Sequence, residues 1–174
     1  MKRSAFFISF AAAAFSCCGV LAAEVVALGA SNTEGKGHGR FPDGVPRAQA
    51  YPAQLQALLA SQGCRVRVLN AGVAGDTTSG MLRRLNGVLA KDTRVLVLQP
   101  GGNDARRGQS GGAQNVSAIT QAANARGVKV VMLESLGRLA PSARLPDGQH
   151  FSAAGHATFA AYLAPRVRAA GACG

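Results

Sequence analysis

Four short motifs whose residues could carry out acyl transfer follow one another along the chain. In order they are Gly29-Ala30-Ser31-Asn32, Gly75-Asp76-Thr77, Gly101-Gly102-Asn103-Asp104 and Asp147-Gly148-Gln149-His150. Acyl transfer to a hydroxyl needs a nucleophile, a base, a carboxylate that orients the base, and N–H donors that stabilise the oxyanion. The motifs supply Ser31 as nucleophile, His150 as base and Asp147 as carboxylate. The predicted oxyanion donors are the N–H groups of Ser31 and Gly75 and the side-chain amide of Asn103.

Each motif also has an ordinary interpretation when it is taken alone. A serine after a glycine turn commonly caps a helix, and Asp-Gly and Gly-Asn-Asp sequences commonly form turns. Asp147 and His150 are three residues apart, however, a spacing that makes side chains neighbours on a helical turn. Gly75 has no side chain that would obstruct its N–H. Because all four motifs occur together, we interpret them as one catalytic site.

The remaining histidines and the glycine-rich segments do not predict a cofactor site. His38 and His156 are predicted to lie in a loop and on a helix surface, and metal binding would need a ligand cluster that the sequence lacks. Residues 29–36 miss the spacing of a phosphate-binding loop, and residues 35–39 lack that of a dinucleotide-binding loop. Thr33 replaces the second glycine of the α/β-hydrolase elbow. We therefore expect no metal and no cofactor.

Short apolar runs alternate with segments of helical periodicity from residue 24 onward. Strands are predicted at 25–28, 66–69, 95–98 and 128–133, and helices near 51–59, 81–89, 113–126 and 152–169. This alternation predicts an α/β fold, a flavodoxin-like three-layer α/β/α sandwich with a four- to five-stranded parallel sheet. In such sheets the loops at the carboxyl ends of the strands bind ligands, and the motifs follow predicted strands. The loop 35–44 is predicted to line a substrate groove.

The beginning of the chain is typical of an export signal. Basic residues precede an apolar stretch that ends in small residues, so residues 1–23 are predicted to be a signal peptide and residues 24–174 a single domain. Cleavage after Ala22 and cleavage after Ala23 both remain open. A membrane anchor is disfavoured because the stretch is short, and a lipoprotein start at a leader cysteine is a further alternative. The predicted location is periplasmic or secreted.

Removal of the leader would leave two cysteines, Cys64 and Cys173. In an oxidising compartment they could form a disulfide that ties the second strand to the C-terminal tail. Two unrelated thiols are the alternative, because sequence separation does not show whether the Cα atoms come within bridging range.

The chain is strongly basic. Its formal net charge is +11, and subtracting Lys2 and Arg3 leaves +9 for the domain. Such a charge favours association with an anionic envelope surface such as phospholipid or polysaccharide. The arginines are dispersed and aromatic residues make up only 5% of the chain, which argues against a specific nucleic-acid function. We expect a monomer whose partner is a small ester or thioester.

The four motifs resemble the sequence blocks of the SGNH hydrolases, the GDSL esterase and lipase group. The serine, glycine, asparagine and histidine that name this family match Ser31, Gly75, Asn103 and His150, and its aspartate matches Asp147. The resemblance covers nearly the whole domain and is nearest to small exported acyl hydrolases with esterase, thioesterase and lysophospholipase activity. It implies cleavage of carboxylic esters or thioesters by acyl transfer to the serine, followed by hydrolysis without a cofactor.

Three features depart from the family pattern. Ala30 and Asn32 replace the usual Asp and Leu beside the serine, and Phe151 replaces the Pro that usually follows the histidine. Only thirteen residues separate Leu133 from Asp147, where small members usually have a helix and a fifth strand. The short segment predicts a four-stranded sheet and an open or mispositioned site. The alternative function is therefore a catalytically inactive domain of this fold that binds cell-envelope glycan or lipid.

Overall fold

The structure is a computed structural model that describes residues 24–36 and 44–173. The predicted signal peptide and most of the predicted groove loop, residues 37–43 with His38, lie outside the described residues. Both therefore stay predictions. Within the described part of the chain, no helix combines the length and the apolar character that a membrane span requires.

The described residues form a single parallel sheet with helices on both faces. The strands are β1 (Glu24–Gly29), β2 (Arg67–Gly72), β3 (Thr93–Gln99) and β4 (Lys129–Met132). The helices are α1 (Ser31–Glu34), α2 (Tyr51–Ser61), α3 (Thr78–Val88), α4 (Asn103–Arg106), α5 (Gly112–Ala125), α6 (Leu136–Leu139) and α7 (Ala153–Ala169). The strand order is β2-β1-β3-β4. The predicted α/β/α sandwich is confirmed, with four strands.

The central strand β1 explains the three layers. Its residues 25–28 are completely buried, as a parallel strand covered on both faces requires. Val25 and Ala27 face a core that α2 and α7 complete, whereas Val26 and Leu28 face a second core beneath α3 and α5. Alternate residues of one apolar run therefore supply both cores, and the carboxyl end of β1 is held rigidly at the middle of the sheet edge.

The chain between β4 and α7 contains short turns in place of a fifth strand. Helix α6 and a single 3-10 turn at residues 141–143 lead to a bridge between Arg144 and Phe151. Leu133, Ala140 and Phe151 are buried in the core under α7. The shortened segment therefore still supplies apolar side chains to the core between the sheet and α7.

Cys64 and Cys173 form a disulfide in the structure, with their Cα atoms 5.3 Å apart. Cys64 follows α2, and Cys173 follows α7. Because α2 and α7 pack together on the same face of the sheet, the bond ties the end of one helix to the end of its neighbour.

The prediction that His156 lies on a helix surface is wrong. The ring is fully buried, its Nδ1 accepts a hydrogen bond of 3.2 Å from the Tyr51 N–H, and it contacts the edge of Phe159. Residues three apart share a helix face, so the apolar face through Phe159, Leu163 and Val167 extends back to His156. A polar residue at an apolar position was the signal that the sequence analysis missed.

The burial of His156 predicts a pH-dependent stability. Burial, helped by the charge of His150, lowers the pKa of His156 from 6.5 to about 4. The unfolded chain therefore takes up a proton below pH 6.5 that the folded protein does not bind until about pH 4. We expect this residue alone to reduce the free energy of unfolding by about 3 kcal/mol as the pH falls through that range.

Urea unfolding between pH 7 and pH 4 measures this effect. The control is His156→Asn, because the side-chain oxygen of asparagine can still accept the Tyr51 N–H but does not titrate. Between pH 7 and pH 4, the free energy of unfolding of this variant should fall by about 3 kcal/mol less than that of the wild-type protein. Parallel pH profiles for the two proteins would contradict the prediction.

Candidate functional site

Ser31 is the first residue of α1, immediately after β1 and the buried Ala30. The carbonyl of Ala30 accepts hydrogen bonds from the N–H groups of Thr33 at 3.0 Å and Glu34 at 2.9 Å. Gly29 permits this tight turn, because a Cβ at that position would overlap the Thr33 hydroxyl. Backbone hydrogen bonds therefore hold Ser31 at the sheet edge without a carboxylate at position 30.

Asp147 and His150 form a buried pair. His150 Nδ1 is hydrogen-bonded to Asp147 Oδ2, and the two side chains are only 5% and 6% exposed. Asp147 Oδ1 accepts the N–H groups of Gln149 at 2.9 Å and His150 at 3.0 Å. Burial alone would raise the pKa of Asp147, but these backbone hydrogen bonds and the His150 ring hold it below its usual value of 3.8. An ionised Asp147 keeps the proton on Nδ1 and leaves Nε2 as the free base.

A side-chain hydrogen bond connects the serine motif to the histidine motif. Asn32 Nδ2 donates to the carbonyl of Gln149 at 3.1 Å. Asn32 follows Ser31 and Gln149 precedes His150, so this bond brings the two motifs to the same edge of the sheet. Among the described residues, Ser31 Oγ has no hydrogen-bond partner. The predicted hydrogen bond between Ser31 Oγ and His150 is therefore not formed; in substrate-free enzymes the bond between a nucleophile and its base is often long and tightens when substrate binds.

Gly75 lies in a tight turn. The Asp76 N–H donates to the Val73 carbonyl at 3.1 Å, and Gly75 has a φ of 77°. This geometry is typical of a type II turn, which needs glycine at its third position. The hydrogen bond that closes this turn does not use the Gly75 N–H. No described residue accepts a hydrogen bond from the N–H of Gly75 or of Ser31, so both donors are available to a ligand oxygen.

Asn103 is the first residue of α4. One N–H of its amide donates to the Asp76 carbonyl at 2.8 Å. An asparagine amide has two N–H donors, so the second remains available. Asn103 and Ser31 line the same small cavity of about 30 Å³, together with Gly101 and Gln149. The structure therefore brings three of the four sequence motifs to one cavity and attaches the second motif through Asp76.

Two residues that the sequence analysis did not identify hold these loops together. The buried carboxylate of Asp104 accepts the N–H of Thr78 at 3.0 Å and its hydroxyl at 2.6 Å, at the start of α3. Arg84 donates to Asp76 and to backbone carbonyls at the ends of β1 and β2, at 2.7–3.0 Å. Adjacency to Asn103 was the only signal for Asp104. The role of Arg84 depends on strand order, so it had no local signal.

A larger cavity of about 500 Å³ opens beside the serine. Six residues line both cavities: Asn32, Gln99, Gly101, Gly102, Arg106 and Gln149. Leu133, Leu136 and Phe151 form an apolar part of its wall, and Glu134 and Arg144 are charged. The volume suits a small organic ligand. Within the described residues, no three side chains cluster as metal ligands would.

Comparison with known proteins gives one family and several similar structures. The model of the GDSL-like lipase/acylhydrolase family matches residues 27–172. Esterase TesA of Pseudomonas aeruginosa PAO1 is 41% identical over 93 residues, which are 52% of this chain and 46% of that esterase. The match thus spans about half the length of this curated relative.

Among the solved structures with a similar fold and at least 25% sequence identity are those of TesA and AlinE4. A crystal structure of TesA has a TM-score of 0.69 and 25% identity, and the match covers 84% of this chain and 99% of that one. AlinE4, described as an SGNH-hydrolase family esterase, has a TM-score of 0.54 and 27% identity over 83% of this chain and 72% of that one.

Proposed function

Because this chain belongs to the GDSL-like lipase/acylhydrolase family, as its sequence predicted, we propose that it is a serine hydrolase of carboxylic esters or thioesters. The observation that carries the proposal is the buried Asp147–His150 pair, whose loop is joined to the serine motif by the hydrogen bond between Asn32 and Gln149. The names of the similar proteins, esterase TesA and the esterase AlinE4, support the same class of substrate.

In the acylation step, Ser31 Oγ attacks the carbonyl carbon of the ester while His150 Nε2 takes the hydroxyl proton. Ionised Asp147 stabilises the imidazolium that forms. The oxyanion accepts hydrogen bonds from the N–H groups of Ser31 and Gly75 and from the available amide N–H of Asn103. Collapse of the intermediate breaks the bond to the alcohol or thiol, which leaves with the proton from His150.

Deacylation repeats these steps with water. His150 Nε2 removes a proton from the water molecule as its oxygen attacks the acyl carbon, and the same donors stabilise the second oxyanion. His150 then returns the proton to Ser31 Oγ as the carboxylic acid leaves. The cycle needs no cofactor.

The substrate is a short acyl ester, a thioester or an acetylated sugar. The cavity of about 500 Å³ beside Ser31 is large enough for such a group, and its wall combines apolar and charged side chains. Long acyl chains would need an extended apolar channel, which the described lining residues do not form.

We propose an exported, monomeric enzyme in which residues 1–23 are a signal peptide and residues 24–174 the catalytic domain. The Cys64–Cys173 disulfide supports a periplasmic or secreted location, because such bonds persist in oxidising compartments. The basic charge supports contact with an anionic envelope surface.

Labelling with a fluorophosphonate probe tests the proposed nucleophile. The probe phosphonylates an activated serine, so the purified protein should incorporate one label at Ser31, located by peptide mass spectrometry. Ser31→Ala should lose the label and the hydrolysis of p-nitrophenyl acetate. Ser61→Ala, which changes an exposed serine at the end of α2, should retain both.

The same experiment separates the two functions that the sequence left open. A folded wild-type protein that neither takes up the label nor hydrolyses the ester would favour the inactive binding domain. Labelling at a serine other than Ser31 would contradict the assignment of the nucleophile and leave the hydrolase class in place.

A further inference from the structure

Two adjacent arginines bind the residues that carry the proposed oxyanion donors. Arg106 Nη1 donates to Asn103 Oδ1 at 2.9 Å, and Arg107 Nη2 donates to the Gly75 carbonyl at 2.7 Å. Both arginines have exposed side chains, and neither forms an ion pair with a described residue. Each guanidinium group is thus directed to one oxygen atom of one donor residue.

The contact from Arg106 determines how the Asn103 amide is oriented. With Oδ1 bound to a cation, the reversed amide would place its NH₂ group against the guanidinium, which cannot accept a hydrogen bond. Nδ2 therefore points to the Asp76 carbonyl and the small cavity. A cation on the amide oxygen also withdraws electron density from the nitrogen and makes its N–H a stronger donor.

The contact from Arg107 holds the Gly75 turn. Its guanidinium packs on the open side of the glycine, where a Cβ at Gly75 would lie 3.2 Å from Arg107 Nη2. The next carbonyl along the chain, that of Asp76, accepts the Asn103 amide. The arginines, the turn and the amide thus form one continuous hydrogen-bonded network.

We propose that Arg106 and Arg107 are positioning residues that hold two oxyanion donors, the Asn103 amide at the start of α4 and the Gly75 N–H between β2 and α3, in their productive orientation. The proposal rests on the proposed function, since it needs an oxyanion at Ser31. From net charge alone, these two exposed arginines would be interpreted as part of a solvated basic surface. Their contacts instead give them a role in stabilising the transition state.

Steady-state kinetics of Arg106→Gln and Arg107→Gln with the neutral substrate p-nitrophenyl acetate test the proposal. Each variant should lower kcat about tenfold with KM nearly unchanged, because the lost charge-assisted hydrogen bond acts on the transition state. Arg83→Gln is the matched control. Arg83 is an exposed arginine on α3 whose hydrogen bond goes to Ser79, and its loss should not change kcat.

A double-mutant cycle with Asn103→Ala separates positioning from a general structural role. In that background Arg106→Gln should have no further effect on kcat, because the amide that it orients is absent. Arg107→Gln should keep its own tenfold effect, about what one charged hydrogen bond supplies, because it acts on Gly75. Thermal melts of all variants report whether the fold is retained.

Three outcomes would overturn the proposal. They are an unchanged kcat in both arginine variants, a change confined to KM, and an effect of Arg106→Gln that persists in the Asn103→Ala background. These outcomes differ from a failure of the proposed function, in which either the wild-type protein would not hydrolyse the ester or Ser31→Ala would hydrolyse it as fast as the wild-type protein.

Discussion

Replacing His150 by Ala is expected to lower kcat for ester hydrolysis by about 10⁶-fold, and Ser31→Ala by the same order. Without the base the hydroxyl of Ser31 keeps its proton, and without the hydroxyl the base has no nucleophile to activate. The double variant should therefore be no slower than either single variant. Initial rates with p-nitrophenyl acetate measure all three proteins. A double variant much slower than both single variants would contradict a coupled serine–histidine pair.

Asp147→Asn is expected to lower kcat for ester hydrolysis by about 10⁴-fold. An asparagine can donate to His150 Nδ1, which would stabilise the tautomer whose proton lies on Nε2, and that tautomer cannot act as base. Asp92→Asn, an exposed aspartate that precedes β3, is the matched control and should retain full activity. Melting curves check that the fold survives. A near-normal rate for Asp147→Asn would remove Asp147 from the proposed site.

The arrangement of the motifs could be predicted because it depends on local sequence and on one topological rule. Ser31 follows β1 and Asn103 follows β3, two strands whose apolar runs the sequence displays clearly. Carboxyl ends of parallel strands share an edge, so motifs far apart in sequence come together. Their chemical roles stay predictions, whereas the fold that carries them is confirmed.

Contacts between distant side chains could not be predicted from periodicity. The bond from Asn32 to Gln149 joins residues 117 positions apart, and in the sequence Asn32 is only a departure from the family pattern. His156 illustrates the same limit, because its burial depends on the packing of α7 against Tyr51. Hydrophobic patterns identify the apolar residues of a face and do not identify a polar residue that packs among them.

The net charge of the chain does not predict which arginines form hydrogen bonds within the protein. Arg47, Arg107 and Arg144 donate to the carbonyls of Asn70, Gly75 and Gly148 at 2.7–2.8 Å. These bonds satisfy the acceptor capacity of one carbonyl near the carboxyl end of β2 and of two carbonyls in loops. Part of the basic composition therefore stabilises the loops around the candidate site, in addition to any attraction for an anionic surface.

Loss of the Cys64–Cys173 disulfide is expected to lower the free energy of unfolding by about 4–5 kcal/mol. The bond joins residues 109 positions apart, so it closes the chain from the end of α2 to the end of α7 into one long loop and strongly restricts the unfolded chain. Cys64 is buried, and serine in its place would add a small cost of its own. Urea unfolding of the wild-type protein and of Cys64→Ser, each with and without reductant, separates the effect of the disulfide from the effect of the buried serine. Only the wild-type protein should lose stability on addition of reductant.

The size of this effect connects stability to location. Domains of this length are typically stable by about 5–15 kcal/mol, so the disulfide would supply a large share of the total. Production in a reducing compartment should therefore give a protein with a much lower melting temperature, and export should restore it. If reductant leaves the urea midpoint of the wild-type protein unchanged while its thiols become titratable, the disulfide does not stabilise the fold, and the argument from it for an oxidising compartment fails.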